Sequence, residues 1–129
     1  SIATFFAETK GAKLIVGGHH KEDHSLFPDS KPKYFEAMNN LLGIASASRE
    51  QIRVRIQTPL AGLNKSAVLK LGIKLQVPLE LTWSCYGRGE KACKTCPACI
   101  SRMNAFNVIG AQDPAEYKLD SNQKYMNTV

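Results

Sequence analysis

Apolar and polar positions change period several times along this chain, and each change marks an element. Ile2, Phe5 and Phe6, with Ala3 beside them, share one side of a helical wheel and Gly11 follows as a stop, so residues 1–10 are predicted helical. Lys13 leads into the unbroken run Leu14-Ile15-Val16, closed by Gly17-Gly18, which predicts a strand covered on both faces, as in a parallel sheet. The polar loop His19 to Ser30 then leaves the carboxyl end of that strand, where open α/β sheets gather ligands. From Pro32 to Ala45 the residues Phe35, Met38, Leu41, Leu42 and Ala45 line one face of an amphipathic helix, with Asp29 and Ser30 placed to cap it. After Ser46-Ala47-Ser48, the residues Ile52, Val54 and Ile56 alternate with Arg53, Arg55 and Gln57, the period of a half-exposed edge strand. Thr58 to Leu63 is a further loop. Asn64 can cap a helix over Lys65 to Leu75 whose stripe is Val68, Leu71 and Leu75. Pro78 ends that segment and Leu79-Glu80-Leu81 reads as a short strand. Pro97 to Val108 reads as a last helix, carrying Ile100, Met103 and Phe106 and stopped by Gly110; Asp113-Pro114 starts a turn, and a polar tail begins at Asp120. The fold class is therefore α/β: a Rossmann-like parallel-sheet portion with helices over 1–81, a cysteine-bearing loop–helix region over 82–119, and a tail over 120–129.

The cysteines change this picture most. All four lie between Cys85 and Cys99 with the spacing C-x7-C-x2-C-x2-C, the ligand count of a closed tetrahedral Zn²⁺ site with a structural role. Gly87 and Gly89 give the long arm the backbone freedom to bring Cys85 back to the other three. Two disulfides are a poorer reading, because Cys-x2-Cys neighbours are badly placed to bridge independently. An iron–sulfur cluster is the stronger competitor, since Cys93, Cys96 and Cys99 repeat the C-x2-C-x2-C run of ferredoxins, but no fourth cysteine follows downstream.

Composition narrows the rest. A hydrophobic fraction of 43% and a charged fraction of 22% are those of an ordinary globular domain. No apolar run approaches the ~18 residues of a membrane helix, and unbridged cysteines without a recognisable leader predict a cytoplasmic setting. Seventeen Lys and Arg against eleven Asp and Glu give a net charge of +6, which permits an anionic partner without naming one, because the basic residues are dispersed. Asp23 and Asp29 are candidates for binding Mg²⁺ or accepting hydrogen bonds. Lys65 sits in the first turn of its helix, where the dipole disfavours a cation, and such misfits point to function. Arg102 is placed to support the metal site or to face a ligand. The three histidines of the 19–30 loop lack the spacing of a second metal site.

Four motifs in order carry a resemblance. They are Gly18-x4-Asp23-x-Ser25-x-Phe27-Pro28-Asp29-x-Lys31-x3-Phe35, then Thr58-Pro59-Leu60-x4-Lys65, then Thr82-Trp83-Ser84-Cys85-Tyr86, then Cys93-x2-Cys96-x2-Cys99-x2-Arg102. Together they resemble the C-terminal part of the 7-cyano-7-deazaguanine synthase family, within the PP-loop ATP pyrophosphatase superfamily, from Ser1 to about Leu119. Phe27, Ser30 and Lys31 depart from the family's usual Tyr-Pro-Asp-Cys-Arg, and Lys31 keeps the charge but not the forked geometry of arginine. The family's Ser-Gly-Gly-x-Asp-Ser nucleotide loop is not in this sequence, and the chain opens without Met as though inside a helix; the expectation is a piece of a longer enzyme.

The resemblance implies an adenine nucleotide alpha hydrolase-like fold and an ATP-dependent ligase making a precursor of queuosine or archaeosine for tRNA. Its substrates would be 7-carboxy-7-deazaguanine, ATP with Mg²⁺, and ammonia, and its state a homodimer that does not itself bind tRNA. It implies catalytic roles for Asp23, Asp29 and Lys65, substrate or nucleotide contacts at Gly18, Ser25, Lys31, Thr82 and Arg102, and zinc on Cys85, Cys93, Cys96 and Cys99. Two other readings stand beside it: a different PP-loop ligase or tRNA-modifying enzyme, and a zinc-dependent nucleic-acid-binding module.

Overall fold

A computed structural model describes residues 2–45, 54–87 and 91–115. The chain divides into two compact units, Ser1–Asn64 and Lys65–Val129. The helix opening at Lys65 packs against the last helix and belongs with it to the second unit.

In the first unit, α1 (Ile2–Thr9) runs into β1 (Leu14–Val16), and β2 (Arg55–Gln57) pairs with β1 in parallel, Ile15 opposite Ile56. Gly11 ends α1 in the left-handed region at φ +66°, as its position in the sequence predicts. The α/β class and the parallel pairing match the pattern of the chain. The burial differs. Thr4 and Ala7 are the buried residues of α1, while Phe5 and Phe6 are 62% and 58% exposed and meet each other edge to face at 5.9 Å. The run Leu14-Ile15-Val16 is not covered on both faces: Leu14 and Val16 are exposed and Ile15 half-buried. Among the described residues the sheet has two strands, with α1 packed against β1 and α3 against β2, and the face that carries Leu14 and Val16 stays open. Alternation in the second strand holds at Val54, which is buried, and at Ile56, half-buried between exposed Arg55 and Gln57. Ile52 and Arg53 lie outside the described residues.

The polar loop is more ordered than its composition suggests. It holds one helical turn, α2 (Asp23–Leu26), and a 3-10 turn over Pro28–Ser30 before α3 (Pro32–Ala45). From α3 the Asn39 side chain reaches β2, donating to the Ile56 carbonyl at 2.9 Å and accepting from the Ile56 N–H at 2.8 Å. A primary amide offers the same donor–acceptor pair as a peptide bond, so Asn39 stands where a neighbouring strand would.

In the second unit, α4 (Lys65–Lys74) packs against α5 (Pro97–Ile109). Leu79–Leu81 is a 3-10 turn, not a strand. Its bonds are local: Leu81 N–H donates to Pro78 O at 2.9 Å, and Thr82 donates to Leu79 O through both its N–H and its hydroxyl. Three residues between a proline and a hydroxyl that closes back on the turn favour that compact form over extension. Pro97 occupies the first turn of α5, Cys99, Ala105 and Phe106 are buried, and Gly110 caps the helix in the left-handed region at φ +66°. Among the described residues no helix is long and apolar enough to cross a membrane.

Candidate metal centre

Two knuckles and a helix end bring the four thiols together. Lys94 adopts φ +58°, a left-handed position that folds Cys93-Lys94-Thr95-Cys96 back on itself. The Cys96 N–H then donates to Cys93 Sγ at 3.3 Å. Cys96 is also the N-cap of α5, and its Sγ accepts from the Cys99 N–H at 3.4 Å. On the other arm Cys85 Sγ accepts from the N–H groups of Gly87 at 3.2 Å and Cys93 at 3.3 Å. A Cβ built on Gly87 would lie 3.2 Å from that same sulfur, tighter than ordinary contact, which is the close approach the glycine permits. Gly89 lies outside the described residues.

The resulting sulfurs all lie within 4.8 Å of one another, and Cys93 Sγ and Cys99 Sγ are 3.9 Å apart. No pair is bonded as a disulfide. Four ligands at about 2.3 Å from a central ion stand about 3.8 Å apart in a regular tetrahedron, so the cluster has the dimensions of one ion's shell. The protonation energetics point the same way. Hydrogen bonds from the Thr95 side chain first, then from the Thr95 and Cys96 backbones, bring the Cys93 thiol down to about 6. Cys96 is lowered chiefly by the Tyr86 and Cys99 N–H groups. Burial, reinforced by the neighbouring thiols, pushes Cys99 up to about 12. Four thiols this close cannot all ionise by themselves; a dication among them removes that conflict.

One turn along α5, Arg102 gathers a polar cluster around its guanidinium. Its Nε and NH2 form a forked pair with the Asp113 carboxylate, the latter bond 2.7 Å. NH1 donates to the Thr82 hydroxyl at 2.9 Å and carbonyl at 3.3 Å and reaches Ser84 Oγ at 3.5 Å, while NH2 also reaches Leu79 O at 3.4 Å. The guanidinium lies 5.5 Å from the ring centre of buried Phe106. All three nitrogens are thus engaged inside the fold, and so is the Thr82 hydroxyl. Thr82 and Arg102, both expected at a substrate or nucleotide, are in contact with each other. Asp113 and Ser84 were not singled out from sequence as site residues. Asp113 showed itself only as the start of a turn, which it also is, accepting from the Ala115 N–H at 3.0 Å. Trp83 lies between Thr82 and Ser84, its Nε1 donating to the Cys85 carbonyl at 2.8 Å and the residue 47% exposed.

In the first unit the predicted polar residues spread along the loop. Asp23 Oδ2 accepts from the His20 N–H at 2.9 Å and Oδ1 lies 3.6 Å from His20 Nε2, whose other ring nitrogen meets Glu22 at 2.9 Å. Ser25 Oγ donates to Glu22 O, and Ser30, buried, donates to Phe27 O rather than capping α3. Asp29 and Lys31 are exposed, and open space surrounds Gly18. Lys65 opens α4 in the other unit. Among the described residues the four cysteines are the one group of three or more metal-ligating side chains brought together.

The family profile described as queuosine biosynthesis protein QueC matches residues 1–110. Among curated relatives, the 7-cyano-7-deazaguanine synthase of Methanospirillum hungatei is 41% identical over 118 residues, covering 92% of this chain and 53% of the relative. That of Methanobrevibacter smithii is 39% identical over 117 residues, covering 91% and 50%. That of Caldicellulosiruptor bescii is 38% identical over 120 residues, covering 93% and 52%. The chain spans about half the length of the curated relatives it matches.

Proposed function

The chain belongs to the queuosine biosynthesis protein QueC family, and from that premise we propose that it is part of an ATP-dependent carbon–nitrogen ligase that converts 7-carboxy-7-deazaguanine and ammonia to 7-cyano-7-deazaguanine. The observation that carries this reading is the match itself, which runs through nearly the whole chain in relatives named 7-cyano-7-deazaguanine synthase. The chemistry is a double activation. A carboxylate is a poor electrophile, so its oxygen is first joined to phosphate from ATP. Ammonia displaces that oxygen to give the amide, and a second activation at the amide oxygen followed by its loss gives the nitrile. Such a sequence needs reactants held in register and water kept away from the activated carbonyl.

Asp23 and Asp29 are assigned to substrate, ammonia or Mg²⁺-bound phosphate, and Lys65 to neutralising phosphate charge; Gly18, Ser25 and Lys31 line the approach on the first unit. Mg²⁺ held by one or two carboxylates and the phosphates of ATP needs no dedicated cage of three protein ligands. The cysteine cluster fits a single Zn²⁺ better than an iron–sulfur cluster, whose several irons would hold their thiolates further apart than one ion's shell does. Four thiolates complete that shell, so the ion's contribution is to fix the loop rather than to act as a Lewis acid. The enzyme is read as a cytoplasmic homodimer acting on small molecules, feeding queuosine or archaeosine formation without holding tRNA.

The test is product analysis with 7-carboxy-7-deazaguanine, ATP and ammonium, on a chain of the relatives' full length carrying this sequence. Nitrile should accumulate through the amide. Asp23→Asn and Lys65→Ala should each lower turnover at least tenfold with zinc content unchanged. Wild-type rates in both would defeat the residue assignments, and absence of both amide and nitrile would defeat the reaction.

A further inference from the structure

We propose that the Arg102–Asp113 pair is a positioning device that sets the Thr82-Trp83-Ser84 segment against α5 and thereby holds the metal centre to its geometry. Cys99 and Arg102 are three residues apart on α5, about 4.5 Å along the axis. Thr82 and Cys85 are three residues apart on the segment that brings in the remote thiol. Arg102 bonds Thr82 at both its carbonyl and its hydroxyl and reaches Ser84, so one guanidinium spans the two elements that supply Cys99 and Cys85. Asp113 fixes the guanidinium plane from behind through two bonds, and Phe106 lies under it. The pair is largely buried, 14% and 7% exposed at the side chains. Metal sites depend on such outer partners, whose loss costs about 10–100-fold in metal affinity.

Trp83 makes the arrangement measurable. It is the single tryptophan of the chain, it lies between Thr82 and Ser84, the two residues of the segment that Arg102 reaches, and its N–H is committed to the Cys85 carbonyl. A segment released by Arg102 frees the indole, changing its emission and its access to a soluble quencher. The inference rests on the family reading only for the presence of a metal, and neither measurement involves turnover.

The experiment uses the 129-residue chain loaded with zinc. Zinc transfer to a colorimetric chelator and acrylamide quenching of Trp83 are measured well below the melting temperature, for Arg102→Met, Arg102→Lys, Asp113→Asn and, as a matched destabilised control, Ala105→Gly. Ala105 is buried on α5, and glycine there weakens the helix without touching the guanidinium. Arg102→Met should release zinc at least tenfold faster and expose the indole. Arg102→Lys, which keeps charge but loses the fork, should fall between. Ala105→Gly should melt earlier with both readings unchanged. If Arg102→Met does not fold, Asp113→Asn carries the test and should release zinc about threefold faster. Wild-type zinc release and quenching in the folded Arg102 and Asp113 variants would overturn the proposal. So would the same changes in Ala105→Gly, since they would then follow from lost stability alone. A wild-type chain that takes up no zinc would overturn the metal reading, and the quenching series would still decide the positioning role.

Discussion

The metal-free thiols should differ widely in reactivity, and the order is fixed by their surroundings. Cys93 is exposed and its thiol is brought down to about 6 by the Thr95 and Cys96 hydrogen bonds, whereas Cys99 is 4% exposed and pushed up to about 12, mainly by burial. At pH 7 about nine-tenths of Cys93 is then thiolate, against about one part in 10⁵ of Cys99. Intrinsic nucleophilicity rises with pKa along a slope of about 0.4–0.5, which returns a factor of roughly 10³ to Cys99 across six units. The net preference is about 10²-fold for Cys93 before access is counted, and burial widens it. Stripping the metal, labelling with iodoacetamide at pH 7 and reading each cysteine by mass spectrometry measures this. Labelling in concentrated urea, where the four should react alike, supplies the reference. Lowering the pH through 6 should slow Cys93 by protonating it, and Zn²⁺ should protect all four sites. Equal labelling of Cys93 and Cys99 in the folded, metal-free chain would refute the electrostatic account.

Two further outcomes follow from the geometry. Cys96→Ser removes a thiolate ligand but leaves a hydroxyl oxygen that can still cap α5 by accepting from the Cys99 N–H, so the change isolates the metal. Zinc content should fall below one per chain and the melting temperature should drop with it, whereas retention of both would count against a structural metal. Asn39→Ala strips two hydrogen bonds from Ile56, a loss of about 2 kcal/mol. It should lower the melting temperature by roughly 8 °C or more in a unit this small and speed amide exchange at Ile56; an unchanged melt would mean that water replaces the amide without cost.

How much of this was legible beforehand depends on whether the partner lies nearby in sequence. The helices ending at Gly11 and Gly110, the parallel strands and the gathering of the four cysteines are readable because each is written in local spacing. Leu14 and Val16 were misplaced in the interior because an apolar run reports what a strand is suited to contact, not what covers it. Leu79–Leu81 was misread as a strand because three residues carry no period, and Thr82 closing onto Leu79 decided the matter. Asn39 looked like an ordinary polar position on a helix and Asp113 like a turn residue. Their partners, Ile56 and Arg102, are 17 and 11 positions away, beyond any local pattern. The same limit hid the engagement of Thr82 and Arg102 with each other. A motif names residues that belong together without saying whether they face a ligand or one another.

The amide of Asn39 also gives the small sheet a direction of growth. In a parallel pair, successive residues of a strand turn their N–H and C=O to opposite edges. Arg55 N–H and Gln57 C=O point toward β1, donating to Lys13 O and accepting from Gly17 N–H, which leaves Ile56 as the residue of β2 facing outward. Both of its groups are taken by Asn39, so that side offers no template to an incoming chain, native or aggregating. On β1 the alternation turns the groups of Leu14 and Val16 away from β2. A further strand can therefore join this sheet beside β1, next to two exposed apolar side chains, and not beside β2.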